Sequence, residues 1–329
     1  MRLNEPGPIE GSPLEFVELP DLEPAPLELT VAVGACAVCR TDLQIVEGDL
    51  ENRRLPVTPG HQVAGTIAAV GSGVDGWSIG DRAGIGWMAG TCGECRFCIS
   101  NRENLCLYAR FTGWDRDGGF ADQVNVRADF AFPLPNGPAD ADLAPLMCGG
   151  VIGYRSLKVS GIQPGGRLGL FGFGSSASLA IQVAVHWGCE VFVFTRSSIE
   201  QRRALDMGAT WSGGYEDDPQ YSLDAAVTFA PVGSVVIAAL QRVDRGGTVA
   251  INAIHLDEVP AFDYEDLWLE RQIRSVANFT REDASEFLQL AAEIPIHTAV
   301  ESFALPEANR VMAGLKHGSD VATAVLISS

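Results

Sequence analysis

Positive charge is scarce in this chain of 329 residues, whose lysines are Lys158 and Lys316. Lysine and arginine together number 23 against 42 aspartates and glutamates, which gives a net charge of −19. A field of that sign repels phosphate backbones and anionic lipids, so we expect no nucleic-acid partner and no membrane partner. The acidity indicates either a salt-adapted surface or a genome-wide composition bias, and the second is the simpler interpretation.

Long apolar runs are also missing. The first residues contain no apolar segment of the secretory type, and the most apolar stretch, 168–194, is interrupted by Gly, Ser, His and Glu. Such polar residues are costly in a bilayer, so the expected compartment is the cytoplasm. In a reducing compartment the eight cysteines are expected to be metal ligands or buried small side chains rather than disulfides.

Two kinds of sequence pattern divide the chain. Residues 1–150 are rich in Gly, Pro and short β-branched runs, which is typical of a mostly-β domain. Residues 151–295 alternate strands with helices, which predicts a doubly wound parallel sheet and an α/β fold class. After 295 we predict strands at 298–301 and 322–327 around a helix at 306–315. This tail, 296–329, is therefore predicted to rejoin the first domain.

Four closely spaced cysteines form the most specific motif, at Cys92, Cys95, Cys98 and Cys106. Four thiolates on one short segment can close a tetrahedral zinc shell with no open position, which predicts a structural zinc lobe at 92–106. An iron–sulfur cluster is the weaker alternative, because no Cys-Pro pattern follows.

Three further candidate ligands, Cys39, His61 and Cys148, stand far apart in the sequence. Two thiolates and one imidazole would leave a fourth zinc position free for a substrate oxygen, as a Lewis-acid catalyst requires. Spacing alone does not join these residues. Taken singly, Cys148 also fits a buried small side chain and His61 a hydrogen-bonded loop histidine.

A glycine-rich turn between a predicted strand and a predicted helix carries Gly172, Gly174 and Ala177. In this context it matches a dinucleotide fingerprint, whose first glycine permits the turn and whose second lets the backbone approach a pyrophosphate. The alternative is a glycine-rich turn that only packs.

The second strand of that unit ends at Thr195, Arg196 and Ser197. A site for NAD normally has Asp or Glu at this point, and none is present in these three residues. A small hydroxyl side chain followed by Arg suits a 2′-phosphate, which favours NADP(H) over NAD(H). The alternative for Arg196 is a solvated surface charge.

The assembled motifs resemble the zinc-containing alcohol dehydrogenases of the medium-chain dehydrogenase/reductase superfamily, over essentially the whole chain. The matching text lies at Cys39 to Asp42, Gly60 and His61, the lobe at 92–106, Gly118 to Ala121, Cys148, and Gly172 to Ala177. A bacterial subgroup is indicated by an Ala-Pro-Val-Gly segment, 230–233, and an Ile-His pair, 254–255.

The resemblance implies a GroES-like catalytic domain at 1–150 and 296–329, with a Rossmann domain at 151–295. It implies two zinc ions per chain, with the catalytic one held by Cys39, His61 and Cys148. It also implies that Thr41 relays the alcohol proton and Asp42 orients the histidine ligand. Arg40 matches a pyrophosphate contact, and Trp87 matches a wall of the substrate pocket, although a Trp that only packs is the alternative.

The expected function is hydride transfer between NADP(H) and a small or medium alcohol or aldehyde, by a homo-oligomer, dimeric or tetrameric. The alternative is a non-catalytic zinc- and nucleotide-binding protein such as a redox sensor, which would need a reactive thiol at Cys36 or Cys189.

Gln62 replaces the family's usual Glu after the histidine ligand and removes a negative charge near the metal.

Gln44 replaces the histidine that ends the proton relay in many family members, and an amide is neither acid nor base near neutral pH. We expect the variant Gln44→His to oxidise alcohols faster at neutral pH, by about 10-fold or more, because a general base would be restored. Initial rates of alcohol oxidation across a pH series measure this. Identical profiles for the variant and the parent would refute the relay interpretation.

Overall fold

The structure, a computed structural model, describes residues 1–318 and 323–328. The chain forms two compact units, Met1–Cys148 with Thr280–Ser329, and Gly149–Phe279. This division falls after residue 148 and after residue 279, whereas the sequence analysis placed the domain boundaries at 150 and 295. The second division differs because the helix Arg281–Glu293 belongs to the first unit.

The first segment of the chain is mostly β-structure. Its helices are α1 (Arg40–Glu47) and α2 (Asp140–Leu143). Its strands are β1 (Arg2–Leu3), β2 (Leu14–Glu15), β3 (Glu28–Ala37), β4 (Gln62–Val70), β5 (Arg82–Ile85), β6 (Met88–Gly90), β7 (Arg110–Phe111), β8 (Gln123–Arg127) and β9 (Ala131–Pro133).

The middle segment alternates helices and strands. Its helices are α3 (Gly149–Ser160), α4 (Ser175–His186), α5 (Ser198–Asp206), α6 (Gly233–Leu240) and α7 (Tyr264–Leu267). Its strands are β10 (Arg167–Phe171), β11 (Glu190–Phe194), β12 (Trp211–Gly213), β13 (Leu223–Thr228), β14 (Val243–Ile251) and β15 (Gln272–Ser275).

The closing segment contains α8 (Arg281–Glu293), β16 (Glu301–Ala304), α9 (Ala308–His317) and β17 (Ala324–Ile327). Thr280 caps α8 through a reciprocal capping box with Asp283, which explains where this helix begins. The strand predicted at 298–301 was wrong, because the chain becomes extended and paired from Glu301 onwards. Ala322, predicted to open the last strand, lies outside the described residues.

The first unit is built on a seven-stranded sheet with the order β16-β17-β3-β4-β5-β9, and β8 also pairs with β3. All of its pairs are antiparallel except β16 with β17. Buried Leu29, Val31 and Val33 alternate along β3, as expected of a strand with one face in a core. Because β17 pairs with β3, the two ends of the chain share one sheet.

The second unit is a six-stranded parallel sheet with the order β12-β11-β10-β13-β14-β15. Phe171 and Phe194 stack at its centre, with ring centroids 4.2 Å apart and both side chains fully buried. Burial of each such ring contributes about 1.5–3 kcal/mol before entropy is counted. The α/β fold class predicted from the alternating pattern is confirmed by this sheet.

These sheets place the functional side chains at their ends. The link from β3 to α1 carries Cys39, the start of β4 follows His61, and the turn after β10 carries Gly172. In the part of the chain that the structure describes, no helix is both long and apolar enough to cross a bilayer.

Candidate active site

Cys39, His61 and Cys148 are brought together by three different elements of the first unit. Cys39 is the N-cap of α1, where its sulfur accepts the Thr41 N–H at 3.3 Å. His61 precedes β4, and Cys148 follows a 3₁₀ turn at Ala144–Met147. The three ligand atoms lie within 4.8 Å of one another, so residues far apart in sequence form one candidate metal centre.

Asp42 is the shared acceptor at this centre and is fully buried. Its carboxylate accepts hydrogen bonds from His61 Nδ1 at 2.8 Å, the Cys39 N–H at 3.0 Å and the Gly60 N–H at 3.2 Å. Because Nδ1 faces Asp42, Nε2 is the ring nitrogen that faces the Cys39 sulfur, 3.4 Å away. The imidazole is therefore oriented as a metal ligand.

Gly60 allows the sharp turn that delivers His61. Its φ is +96°, and a Cβ there would lie 2.5 Å from the Phe120 ring, so a larger residue is excluded. The segment after Gly118 closes over the turn, with the Gly119 N–H donating to the Gly60 carbonyl at 2.8 Å. Gly60, Gly118 and Gly119 thus shape the turn that carries His61.

Burial, hydrogen bonds and neighbouring charges shift the pKa values of these side chains in different directions. The hydrogen bond from Cys148 and the charge of His61 hold the pKa of Cys39 well below its usual value, despite burial. Burial raises the pKa of Asp42, and the hydrogen bond to Cys39 together with burial raises that of Cys148. Burial opposes protonation of His61, but Asp42 and Cys39 outweigh it and raise its pKa. The lowered pKa of Cys39 favours its thiolate, which is the form of cysteine that binds a metal ion.

The residues around α1 differ in exposure. Thr41 is buried beside the ligand cysteine, Arg40 is exposed, and Gln44 is half-buried one turn further along the helix. Gln62 is buried, and its amide donates to the Ala37 carbonyl at 3.4 Å. The amide of Gln62, which stands where the family usually has Glu, thus has a backbone acceptor for its N–H group.

Trp87 packs edge-on against His61, with ring centroids 4.8 Å apart. Its other contacts are stacked rings, Phe111 at 5.1 Å and Trp114 at 5.8 Å, and the Arg53 guanidinium lies 4.0 Å from the Trp114 ring. Phe111, at the end of β7, and Trp114, in the turn after it, were missed by the sequence analysis, because an aromatic residue carries no sequence signal of which ring it contacts. Together the three rings form an aromatic wall beside the histidine ligand.

The four lobe cysteines also converge. Their sulfur atoms lie within 4.8 Å of one another, and the Cys95 to Cys98 and Cys92 to Cys106 sulfur distances are both 3.5 Å, so none is disulfide-bonded. The backbone N–H groups of Glu94 and Cys95 lower the pKa of Cys92 to about 6, which favours a thiolate ligand there.

The glycine-rich turn has the backbone that the fingerprint requires. Gly172 follows β10 with φ +92°, and Gly174 is the N-cap of α4. A Cβ on Gly174 would meet nothing within 4 Å, so the backbone is open to close approach by a ligand at the helix N-terminus. Ala177 is fully buried where α4 meets the sheet.

The end of β11 holds a carboxylate that the sequence analysis missed. Thr195 is buried and Arg196 is exposed, as a position for recognition of a cofactor phosphate allows. The Thr195 hydroxyl donates to the carboxylate of Glu200, in the first turn of α5. Ser197 caps that helix by accepting the Glu200 N–H at 3.3 Å. The expectation that no acidic group stands here needs this correction, because a helical turn returns Glu200 to the strand end.

Cys36 and Cys189, the thiols on which the sensor alternative depends, are both buried. Burial raises the pKa of each thiol, so both are held as neutral thiols near pH 7.

A GroES-like β-domain and a parallel Rossmann-like sheet in one chain define a medium-chain dehydrogenase. The family described as "Alcohol dehydrogenase GroES-like domain" matches residues 25–136. The chain is 47% identical over 332 residues to "Probable alcohol dehydrogenase AdhA" of Mycobacterium tuberculosis, covering 99% of this chain and 96% of that relative. The chain belongs to the zinc-type alcohol dehydrogenases of the medium-chain dehydrogenase/reductase superfamily, as its motifs predicted.

Two solved structures share the fold. One is CAD from Helicobacter pylori complexed with NADP(H), with a TM-score of 0.83 and 24% identity, covering 92% of this chain and 91% of that one. The other is a cobalt- and zinc-bound thermostable alcohol dehydrogenase from Pyrobaculum aerophilum, with a TM-score of 0.88 and 22% identity, covering 99% and 98%. At these identities the likeness shows the fold alone.

Cys36 and Cys189 should react slowly with iodoacetamide in the folded, zinc-supplied protein, because the thiolate is the reactive form and burial suppresses it. Mass spectrometry at each cysteine over a time course at neutral pH measures this. Denatured protein is the control, in which both thiols should react quickly. Rapid modification of either thiol in the folded protein would favour the sensor alternative.

Proposed function

We propose that the chain is a zinc-dependent alcohol dehydrogenase and aldehyde reductase, which transfers a hydride between NADP(H) and a small or medium alcohol or aldehyde. The observation that carries this proposal is the convergence of Cys39, His61 and Cys148 within 4.8 Å. Two thiolates and one imidazole form a three-ligand set that leaves a fourth position for a substrate oxygen.

The residues present fit zinc. The donor set is soft and mixed, and the carboxylate of Asp42 fixes the tautomer of His61, as is usual around zinc-bound histidines. Zinc bound there would act as a Lewis acid, polarising a carbonyl oxygen and stabilising the charge of the developing alkoxide. The alcohol dehydrogenase of similar fold from Pyrobaculum aerophilum was solved with cobalt and zinc bound, which supports the proposal of a zinc site.

The side chains of the chain have separate tasks in this proposal. Asp42 accepts the Nδ1 proton of His61 in a hydrogen bond and so turns Nε2 towards the metal position, and Thr41 moves the alcohol proton away from the reacting oxygen. Gln44 cannot accept that proton near pH 7, so water carries it onward. Trp87 limits the space beside the histidine ligand and, with its stacked neighbours, favours apolar substrates.

A second, structural zinc is proposed at the cysteine lobe. Four convergent sulfur atoms from Cys92, Cys95, Cys98 and Cys106 can fill a tetrahedral shell, which leaves no position for a substrate. We therefore propose two zinc ions per chain, with different roles.

NADP(H) is the proposed cofactor. The open backbone at Gly172 and Gly174 would receive the pyrophosphate, and exposed Arg196 would contact a 2′-phosphate. Among the described residues Arg196 makes no hydrogen bond or ion pair, so its guanidinium is available. The Helicobacter pylori relative of similar fold was solved with NADP(H).

The alternative of a non-catalytic redox sensor is not favoured, because both of its candidate thiols are buried with raised pKa values. By likeness to the family we extend the proposal to the cytoplasm and to a homo-oligomer. The domain roles follow in the same way, with metal chemistry in the first unit and cofactor binding in the second.

Zinc-replete protein should oxidise NADPH faster than NADH over a panel of aliphatic and aromatic aldehydes, and metal removal should abolish both rates. Initial rates from nicotinamide absorbance measure this, with zinc added back as the control. A preference for NADH would refute the cofactor assignment and leave the zinc chemistry standing. No turnover with either cofactor, despite two zinc ions per chain, would refute the proposed function for these substrates.

Asp42→Asn should weaken zinc binding at the open site roughly 10–100-fold, because His61 loses the acceptor that orients its ring. Competition with a chromophoric chelator measures zinc affinity, and a thermal melt checks that the variant folds. Asp49→Asn is the matched control, since Asp49 is exposed and lies on the same part of the chain. Equal affinities for the Asp42 variant and the control would contradict the assigned role.

A further inference from the structure

The carboxylate of Glu200 lies at the strand end where an adenosine ribose is expected. In a doubly wound sheet that ribose binds at the carboxyl end of the second strand of the nucleotide fold, which here is β11. Thr195 directly follows β11, and its hydroxyl is hydrogen-bonded to Glu200. Glu200 is half-buried, so its negative charge is less screened than that of a fully solvated side chain.

The direction of the hydrogen bonds decides what Thr195 can offer a ligand. Its hydroxyl oxygen accepts the Ser197 N–H at 3.4 Å and donates its single proton to Glu200. A hydroxyl has one donor, so Thr195 has no proton left for a phosphate oxygen. What remains at this point are acceptors, the lone pairs of Thr195 and of the carboxylate, which suit a ribose hydroxyl.

Arg196 supplies the opposite charge at the same strand end. Tyr215, two residues after β12, is influenced by both groups: burial raises the pKa of its phenol, Arg196 opposes that rise and Glu200 adds to it. A 2′-phosphate placed here would therefore be attracted by the guanidinium and repelled by the carboxylate.

We propose that Glu200 is a specificity-determining residue, which reduces the preference for NADP(H) given by Arg196 and allows the chain to use NAD(H) as well. The inference rests on the proposed function, because it assumes that the second unit binds a nicotinamide dinucleotide. Glu200 acts in two ways: its charge repels a 2′-phosphate, and its oxygen accepts the one hydrogen bond that the Thr195 hydroxyl can donate.

The test compares two nucleotide fragments, adenosine 2′,5′-bisphosphate and 5′-AMP, which differ in the 2′-phosphate. Calorimetric titration of the full chain gives both dissociation constants without any turnover. The variants are Glu200→Gln, which keeps an acceptor for Thr195 but removes the charge, and Arg196→Ala. Asp206→Asn at the far end of α5 is the matched control, since it removes the same charge from an exposed position of the same helix.

We expect Glu200→Gln to tighten binding of the bisphosphate about 5–10-fold relative to 5′-AMP, because a like charge near the phosphate is removed. Arg196→Ala should shift that ratio in the opposite direction, and the control should leave it unchanged. The ratio of KM values for NADPH and NADH should follow the same order.

An unchanged ratio in Glu200→Gln, or an equal shift in the control, would overturn the role of Glu200 while leaving the nucleotide site intact. Failure of both fragments to bind would overturn the nucleotide site and this inference with it. Loss of aldehyde reduction with normal fragment binding would instead count against the proposed function alone.

Discussion

The candidate metal centre depends on one buried carboxylate. Asp42 accepts from the Cys39 N–H, the Gly60 N–H and His61 Nδ1, so it joins the start of α1 to the turn before β4. A buried carboxylate is stable only when its oxygens are hydrogen-bonded, so these donors and the acceptor stabilise one another. The contacts that join α1 to the turn before β4 also direct Nε2 of His61 towards the Cys39 sulfur.

Two side chains of opposite charge, Arg196 and Glu200, stand at the end of strand β11. Arg196 extends into solvent, whereas Glu200 is held inward by the Thr195 hydroxyl and by its position in the first turn of α5. In our proposal, the affinity of this strand end for a 2′-phosphate is the difference between attraction by Arg196 and repulsion by Glu200.

Much of the fold was predictable because its signals are local. Alternating strands and helices indicated the parallel sheet, and the glycine-rich turn at Gly172 lies where the pattern placed it. The tail was harder: the strand at Glu301–Ala304 begins where one was expected to end, and α8 belongs to the first unit. The amphipathic pattern of α8 is compatible with either unit, because periodicity indicates that one face of a helix is buried but not which sheet covers that face.

The sequence by itself determined the types of the candidate metal ligands, the four-cysteine lobe and the glycine-rich turn, because these depend on residue chemistry and short spacing. Tertiary structure alone decided that Cys39, His61 and Cys148 meet, that Trp87 stacks on Phe111, and that Glu200 reaches Thr195. These contacts join different elements or cross a helical turn. Their geometry is set by strand pairing and helix capping, which a linear pattern does not specify.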